Sequence, residues 1–126
     1  MGIRHAQGAL GVEAVEKVTI VDIFQTALDN AKTTLQSSPN FSKCTFCLPD
    51  ELGSETFDTG ILASTADARD KSYQLLVSLG CQNILVEKPL GQSYHEVCAF
   101  NDVVLKSGRN CAVNLNMRLN ENFIKI

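Results

Sequence analysis

Asn83-Ile84-Leu85-Val86-Glu87-Lys88-Pro89-Leu90 is the stretch on which the reading of this chain turns. Three apolar residues read as a buried strand, and an acid, a base and a proline follow at once. In an open parallel sheet, ligands bind just outside the carboxyl ends of the strands. A Glu-Lys pair halted there by a proline stands where chemistry would sit. Taken alone, the run is more simply a strand leaving the core through a solvated turn, so its surroundings have to decide.

Working outward, apolar strands alternate with capped helices. Lys17 to Asp22 reads as a strand ending in an acid. Thr26 and Asp29 then have the spacing of a capping box, and Leu28, Ala31 and Leu35 make a helical stripe that stops before Pro39. Cys44 to Leu48 and Thr59 to Ser64 read as strands. Asp67 and Asp70 form a cap-like pair ahead of Leu75, Leu76 and Leu79, with Gly80 placed to end the helix. After the Asn83–Val86 strand, Ser93 and Glu96 form another capping box. Val97, Phe100 and Val104 share a face, Gly108 closes the helix, and Cys111 to Leu115 is a last strand. Strands alternating with helices of this length predict crossover units on a parallel sheet. The fold class expected is α/β, a doubly wound parallel sheet of the Rossmann-like kind, in one domain over residues 1–126.

Composition narrows the function classes. A net charge of -3, with the charges scattered rather than in blocks, gives no footprint for nucleic acid. Apolar runs are only a few residues long, too short for a membrane-spanning helix. Met1-Gly2-Ile3-Arg4-His5 lacks the basic-then-apolar plan of a signal peptide, so a cytoplasmic location is expected. The 5 cysteines are odd in number and dispersed, which fits reduced thiols better than a disulfide framework. Cys44-Thr45-Phe46-Cys47 has redox or zinc spacing, but on a strand residues three apart point to opposite faces. No second ligand pair follows, so these cysteines are expected to be structural and no metal site is expected.

Gly2 opens an apolar-periodic segment (Ile3, Ala6, Leu10), and Asp22 ends the next strand 20 residues later. In the dinucleotide fingerprint, the last glycine lets helix and strand pack closely. An acid roughly 20 residues on accepts hydrogen bonds from the adenosine ribose. One glycine and one aspartate are weak evidence alone, since many strands end in Asp.

Taken together with Glu87-Lys88-Pro89-Leu90, the set becomes specific. Gly2-Ile3-Arg4-His5-Ala6, Val21-Asp22, Ala63-Ser64-Thr65-Ala66, Gly80 and the opening stretch occur in the order and spacing of one family. The chain resembles the amino-terminal domain of the glucose–fructose oxidoreductase / inositol dehydrogenase / rhizopine-catabolism (Gfo/Idh/MocA) oxidoreductases over nearly its whole length. The tail Val113-Asn114-Leu115-Asn116-Met117-Arg118 resembles the strand that leads into that family's second domain.

The resemblance implies an oxidoreductase moving a hydride between a nicotinamide cofactor and a hydroxyl- or carbonyl-bearing carbon of a sugar, cyclitol or related molecule. Gly2 would be the third fingerprint glycine, with Ile3 beside it at a helix amino terminus facing the pyrophosphate. Asp22 would hold the ribose. An acid there, with no Arg just after it, favours NAD over NADP. Ser64, Thr65 and Ala66 would line the nicotinamide-side ribose. Glu87, Lys88 and Pro89 would sit near the nicotinamide, with Lys88 as the catalytic residue, donating a hydrogen bond or proton to the substrate oxygen. Arg118 would border the substrate, and a homo-oligomer is compatible with the family.

Departures from the family matter as well. Arg69 stands where the family often has a His, and either a solvated helix residue or a cofactor contact fits it. His5 reads as a packing residue on the first helix and His95 as a surface residue. The usual first central strand and the first two fingerprint glycines are missing. A split sheet is therefore expected, with open edges on the strands ending at Asp22 and Ser64. The family's substrate domain is also missing, so a truncated piece, inactive alone, is expected. A second class stays open: a non-catalytic Rossmann-like remnant that binds nucleotide weakly or packs against a partner. A flavodoxin-like signalling domain would need acids clustered at the end of the first strand, which is absent.

Overall fold

The computed structural model describes residues 1–115, and Arg118, the residue expected to border the substrate, lies outside them. The chain divides into two compact units, Met1–Glu55 and Thr56–Ile126, each considered by itself.

In the first unit, helix α1 (Gly2–Leu10) carries Ala6 and Leu10 on its buried face, as the Ile3, Ala6, Leu10 spacing requires. Strand β1 (Val18–Val21) pairs in parallel with β2 (Cys44–Cys47), in a register that sets Val18 against Cys44 and Val21 against Cys47. Between them runs helix α2 (Gln25–Leu35), which buries Leu28, Ala31 and Leu35. Ala6, Leu10 and Leu35 form the core, with Ile3, Val18, Ile20, Phe41, Cys44 and Phe46 packed against it. Alternate strand residues face the core, so both helices lie on one side of this sheet.

The expected capping box of Thr26 and Asp29 does not form. The Asp22 carboxylate accepts from the Phe24 N–H at 2.9 Å, which turns the chain early, so α2 begins at Gln25. Asp29 is then inside the helix, where its carboxylate accepts from the Gln25 side-chain amide at 2.9 Å instead of from an end group.

In the second unit, β3 (Thr59–Leu62), β4 (Asn83–Glu87) and β5 (Asn110–Asn114) lie parallel in that order. Helices α3 (Arg69–Ser78) and α4 (Tyr94–Ser107) make the crossovers. Leu62, Ile84 and Val86 from the sheet meet Tyr73 of α3 and Phe100 of α4 in the core, placing both helices on one face. Gly60 permits the close approach of α3, because a Cβ there would lie 2.6 Å from Leu76 Cδ1.

The ends of these helices follow the sequence in part. Ser93 caps α4, its Oγ accepting from the Glu96 N–H at 3.2 Å, while Glu96 reaches back to the Gln92 N–H at 2.7 Å. Gly80 and Gly108 take the left-handed conformation, with φ of 83° and 65°, where the chain leaves α3 and α4. The Asp67–Asp70 cap does not form. A 3₁₀ turn over Ala66–Ala68 intervenes, and Ala68 precedes α3 with no side-chain cap.

Among the described residues all strand pairings are parallel, as expected of a Rossmann-like α/β chain, and the sheet is in two pieces: β1 with β2, and β3 with β4 and β5. Among the described residues, β1 and β3 each have one strand neighbour, so each keeps an open edge.

Candidate functional site

The carboxyl ends of β3, β4 and β5 bring together most of the residues expected to carry the chemistry. The register Leu62↔Val86 and Glu87↔Asn114 sets the Ala63-Ser64-Thr65 loop, the Glu87-Lys88-Pro89 run and Asn114 at one end of the sheet. Arg69 joins them. Its Nη1 donates to the backbone carbonyls of Glu87 and Pro89, and its Nη2 donates to the Ser64 carbonyl at 2.7 Å. Asn114 Nδ2 donates to Glu87 Oε1 at 2.6 Å, carrying the network to β5.

This corrects the open reading of Arg69. The side chain is only 2% exposed, so it is no solvated helix residue, and its two terminal nitrogens are engaged with backbone. As the first residue of α3 it shares a helix face with Tyr73 four positions on, and that face packs on the sheet. Glu87 is 4% exposed, with its carboxylate offsetting the buried guanidinium charge. Burial draws the Arg69 pKa down while Glu87 pushes it back up; a guanidinium stays protonated throughout.

Lys88 is exposed and, among the described residues, its ammonium makes no hydrogen bond or ion pair. Pro89 is exposed also, and the Lys88–Pro89 peptide is cis. Thr65 is exposed and its side chain hydrogen-bonds the Asp67 carboxylate, which holds that carboxyl below the usual range. A folded-state pKa below the unfolded one gives a stabilising contribution present above the unfolded pKa and lost as the pH falls through the folded one. Thr65→Val is expected to raise the Asp67 pKa. A pH titration of its side-chain carbon by NMR reads this directly, and an unmoved midpoint would contradict the bond.

Two polar atoms at this end of the sheet are buried without a partner: Ser64 Oγ and Arg69 Nε. Such atoms ordinarily meet a protein group, an ordered water or a ligand.

The other expected residues lie in the first unit. Gly2 and Ile3 open α1, which has Met1 at its N-cap, no side-chain cap and no acid in its first turn. The first N–H groups of a helix have no intrahelical acceptor, so this end suits an anion. Asp22 follows β1, with one carboxylate oxygen occupied by the Phe24 N–H. No hydrogen bond joins Asp22 to Gly2 or Ile3 among the described residues. These donors and this acceptor fit a phosphate and a ribose hydroxyl, respectively.

Arg69 and Asn114 are the residues that sequence reasoning did not assign. Arg69 carried a signal, a cation just past a strand and a short turn. Asn114 carried only its place at the end of the last strand. The cysteines stand outside the site. All 5 are free, and burial raises the pKa of the Cys44, Cys47, Cys81 and Cys111 thiols, which disfavours the reactive thiolate. Among the described residues no cluster of His, Cys, Asp and Glu could hold a metal ion. No described helix is long and apolar enough to cross a membrane.

No family model and no curated protein matches the sequence. Solved structures do. A Sinorhizobium meliloti protein assigned as a myo-inositol dehydrogenase aligns with a TM-score of 0.74 and 20% identity over 97% of this chain and 35% of its own. A Thermotoga maritima protein assigned as a dehydrogenase aligns at 0.69 and 18% identity, over 98% of this chain and 35% of its own. A Klebsiella pneumoniae protein assigned as an oxidoreductase gives 0.68 and 16%, over 97% and 33%. The chain thus spans about a third of the length of each protein it matches. What the likeness establishes is the fold: this chain has the parallel α/β, Rossmann-like architecture found within these dehydrogenases and oxidoreductases, in agreement with the family its sequence resembles.

Proposed function

We propose that this chain is the NAD-binding part of a Gfo/Idh/MocA-type oxidoreductase acting on a sugar, cyclitol or related hydroxy or carbonyl compound. One observation carries the reading. The Ser64 loop and the Glu87-Lys88-Pro89 run are fixed to one buried guanidinium at the carboxyl end of a parallel sheet, leaving Lys88 exposed and uncommitted. That end is where an open α/β sheet binds its ligand.

In this reading the bound cofactor supplies or takes the hydride. Gly2 and Ile3 offer backbone N–H groups to the pyrophosphate, and Asp22 accepts from the adenosine ribose. Ser64, Thr65 and Ala66 serve the nicotinamide-side ribose, with Glu87 and Pro89 shaping the turn that presents Lys88. Lys88 donates a proton or hydrogen bond to the substrate oxygen in the direction of carbonyl reduction and accepts it in reverse. The free thiols suit a reducing, cytoplasmic setting.

Saturation-transfer NMR with NADH and NADPH tests this. NADH should give transfer to both its nicotinamide and adenine protons, and NADPH should bind at least about tenfold more weakly because Asp22 repels its phosphate. Asp22→Asn should narrow that gap. No transfer from NADH at millimolar concentration would remove the nucleotide-binding reading and leave the non-catalytic module.

A further inference from the structure

We propose that Arg69 is a positioning residue that locks the Ser64–Ala66 loop to the backbone on both sides of Lys88, so that ordering one segment orders the other. What the two segments hold rests on the reading above; the lock itself does not.

The geometry argues for a lock rather than a simple core arginine. The guanidinium acceptors are three backbone carbonyls from two segments: Ser64 after β3, and Glu87 at the end of β4 with Pro89 just past it, on either side of Lys88. Lys88 is thereby held through its neighbours while its own side chain stays exposed. At 2% exposure, water does not compete for these bonds, and bonds from an ionised donor are the strong kind. The stem of Arg69 is rooted in α3, one turn before the fully buried Tyr73, so the fork hangs from a rigid element. Glu87 steadies the charge and passes the restraint to Asn114 at the end of β5.

A planar fork matters because its two terminal nitrogens serve carbonyls lying in different directions. Lysine keeps the charge but gathers its donors on one atom, so it cannot span both segments. The lock is also incomplete. Arg69 Nε is a buried donor with no acceptor, and Ser64 Oγ is buried with no partner. An oxygen brought to the Ser64 loop by a ligand or an ordered water would supply what is missing, and a ligand there would be felt at the Lys88 backbone through one side chain.

NMR of the whole chain tests this without any cofactor. In the wild type, the Arg69 guanidinium protons should resolve separately and exchange slowly with solvent, with couplings across the hydrogen bonds to the Ser64, Glu87 and Pro89 carbonyl carbons. One averaged line exchanging like an exposed arginine would overturn the lock. In Arg69→Lys, amide order parameters at Ser64 and Thr65 and at Lys88 and Leu90 should fall together, from about 0.85 toward 0.6, with α4 unchanged. A fall in one segment alone would overturn the coupling. Should Arg69→Lys not fold, the wild-type guanidinium spectrum decides. NADH affinity gives a separate arm, expected to drop at least about tenfold in Arg69→Lys. NADH failing to bind the wild type would defeat the function reading while the guanidinium spectrum still judged the lock.

Discussion

Tyr73→Ala is expected to remove about 3–5 kcal/mol of stability from the second unit, the range for deleting a large buried aromatic side chain. Tyr73 is 0% exposed, with its ring 5.3 Å from that of Phe100 in an edge-on arrangement. It joins α3 to α4 through both ring and hydroxyl. The hydroxyl lies 2.8 Å from Ser107 Oγ, and Ser107 spends its one hydrogen on the Val104 carbonyl at 2.7 Å. The tyrosine must therefore be the donor, and Ser107 accepts from it and from the Arg109 N–H at 3.2 Å. Tyr73→Phe loses that one bond and keeps the ring, so it should cost only about 1 kcal/mol. Urea unfolding followed by far-UV circular dichroism measures both. Equal costs for the two variants would show that the hydroxyl, not the ring packing, dominates.

Glu87→Leu should cost about 3–5 kcal/mol, because it leaves a buried guanidinium without its offsetting charge. Two terms add here. Arg69 stays 2% exposed and ionised with only carbonyl dipoles around it, and the Asn114 side-chain amide loses the acceptor at 2.6 Å. Glu87→Gln keeps an oxygen for Asn114 and loses only the charge, so its cost should be smaller. Both tyrosines, Tyr73 and Tyr94, lie in the second unit and there is no tryptophan, so near-UV tyrosine dichroism follows this unit's unfolding. A Glu87→Leu protein as stable as wild type would mean that Arg69 needs no counter-charge. The carbonyl cluster would then suffice alone.

The order of elements was legible in the residues because periodicity is local. Strands of four or five residues were built around two or three apolar ones, and the stripes Ala6–Leu10 and Leu28–Ala31–Leu35 made the buried helix faces. Gly80 and Gly108 marked their helix ends because few other residues tolerate a positive φ. Caps were read less well. Ser93 capped α4 as expected, but at Thr26 a competing bond from Asp22 to the Phe24 N–H moved the start of α2. Near Asp67, a 3₁₀ turn came between the acid and the helix. Spacing names the candidates for a cap, and only the local chain path selects among them.

Sequence alone determined a parallel α/β chain with Glu87-Lys88-Pro89 at a strand end, since burying alternate faces of strands and helices is dictated residue by residue. It also anticipated a sheet in two pieces, β1 with β2 and β3 with β4 and β5. Tertiary structure alone decided what Arg69 does. A cation near a strand end is equally a surface group or a ligand contact until the chain folds. Only then do carbonyls from positions 64, 87 and 89 converge on it and water withdraw. Those acceptors are backbone oxygens, which every residue carries, so no side-chain pattern could have announced them.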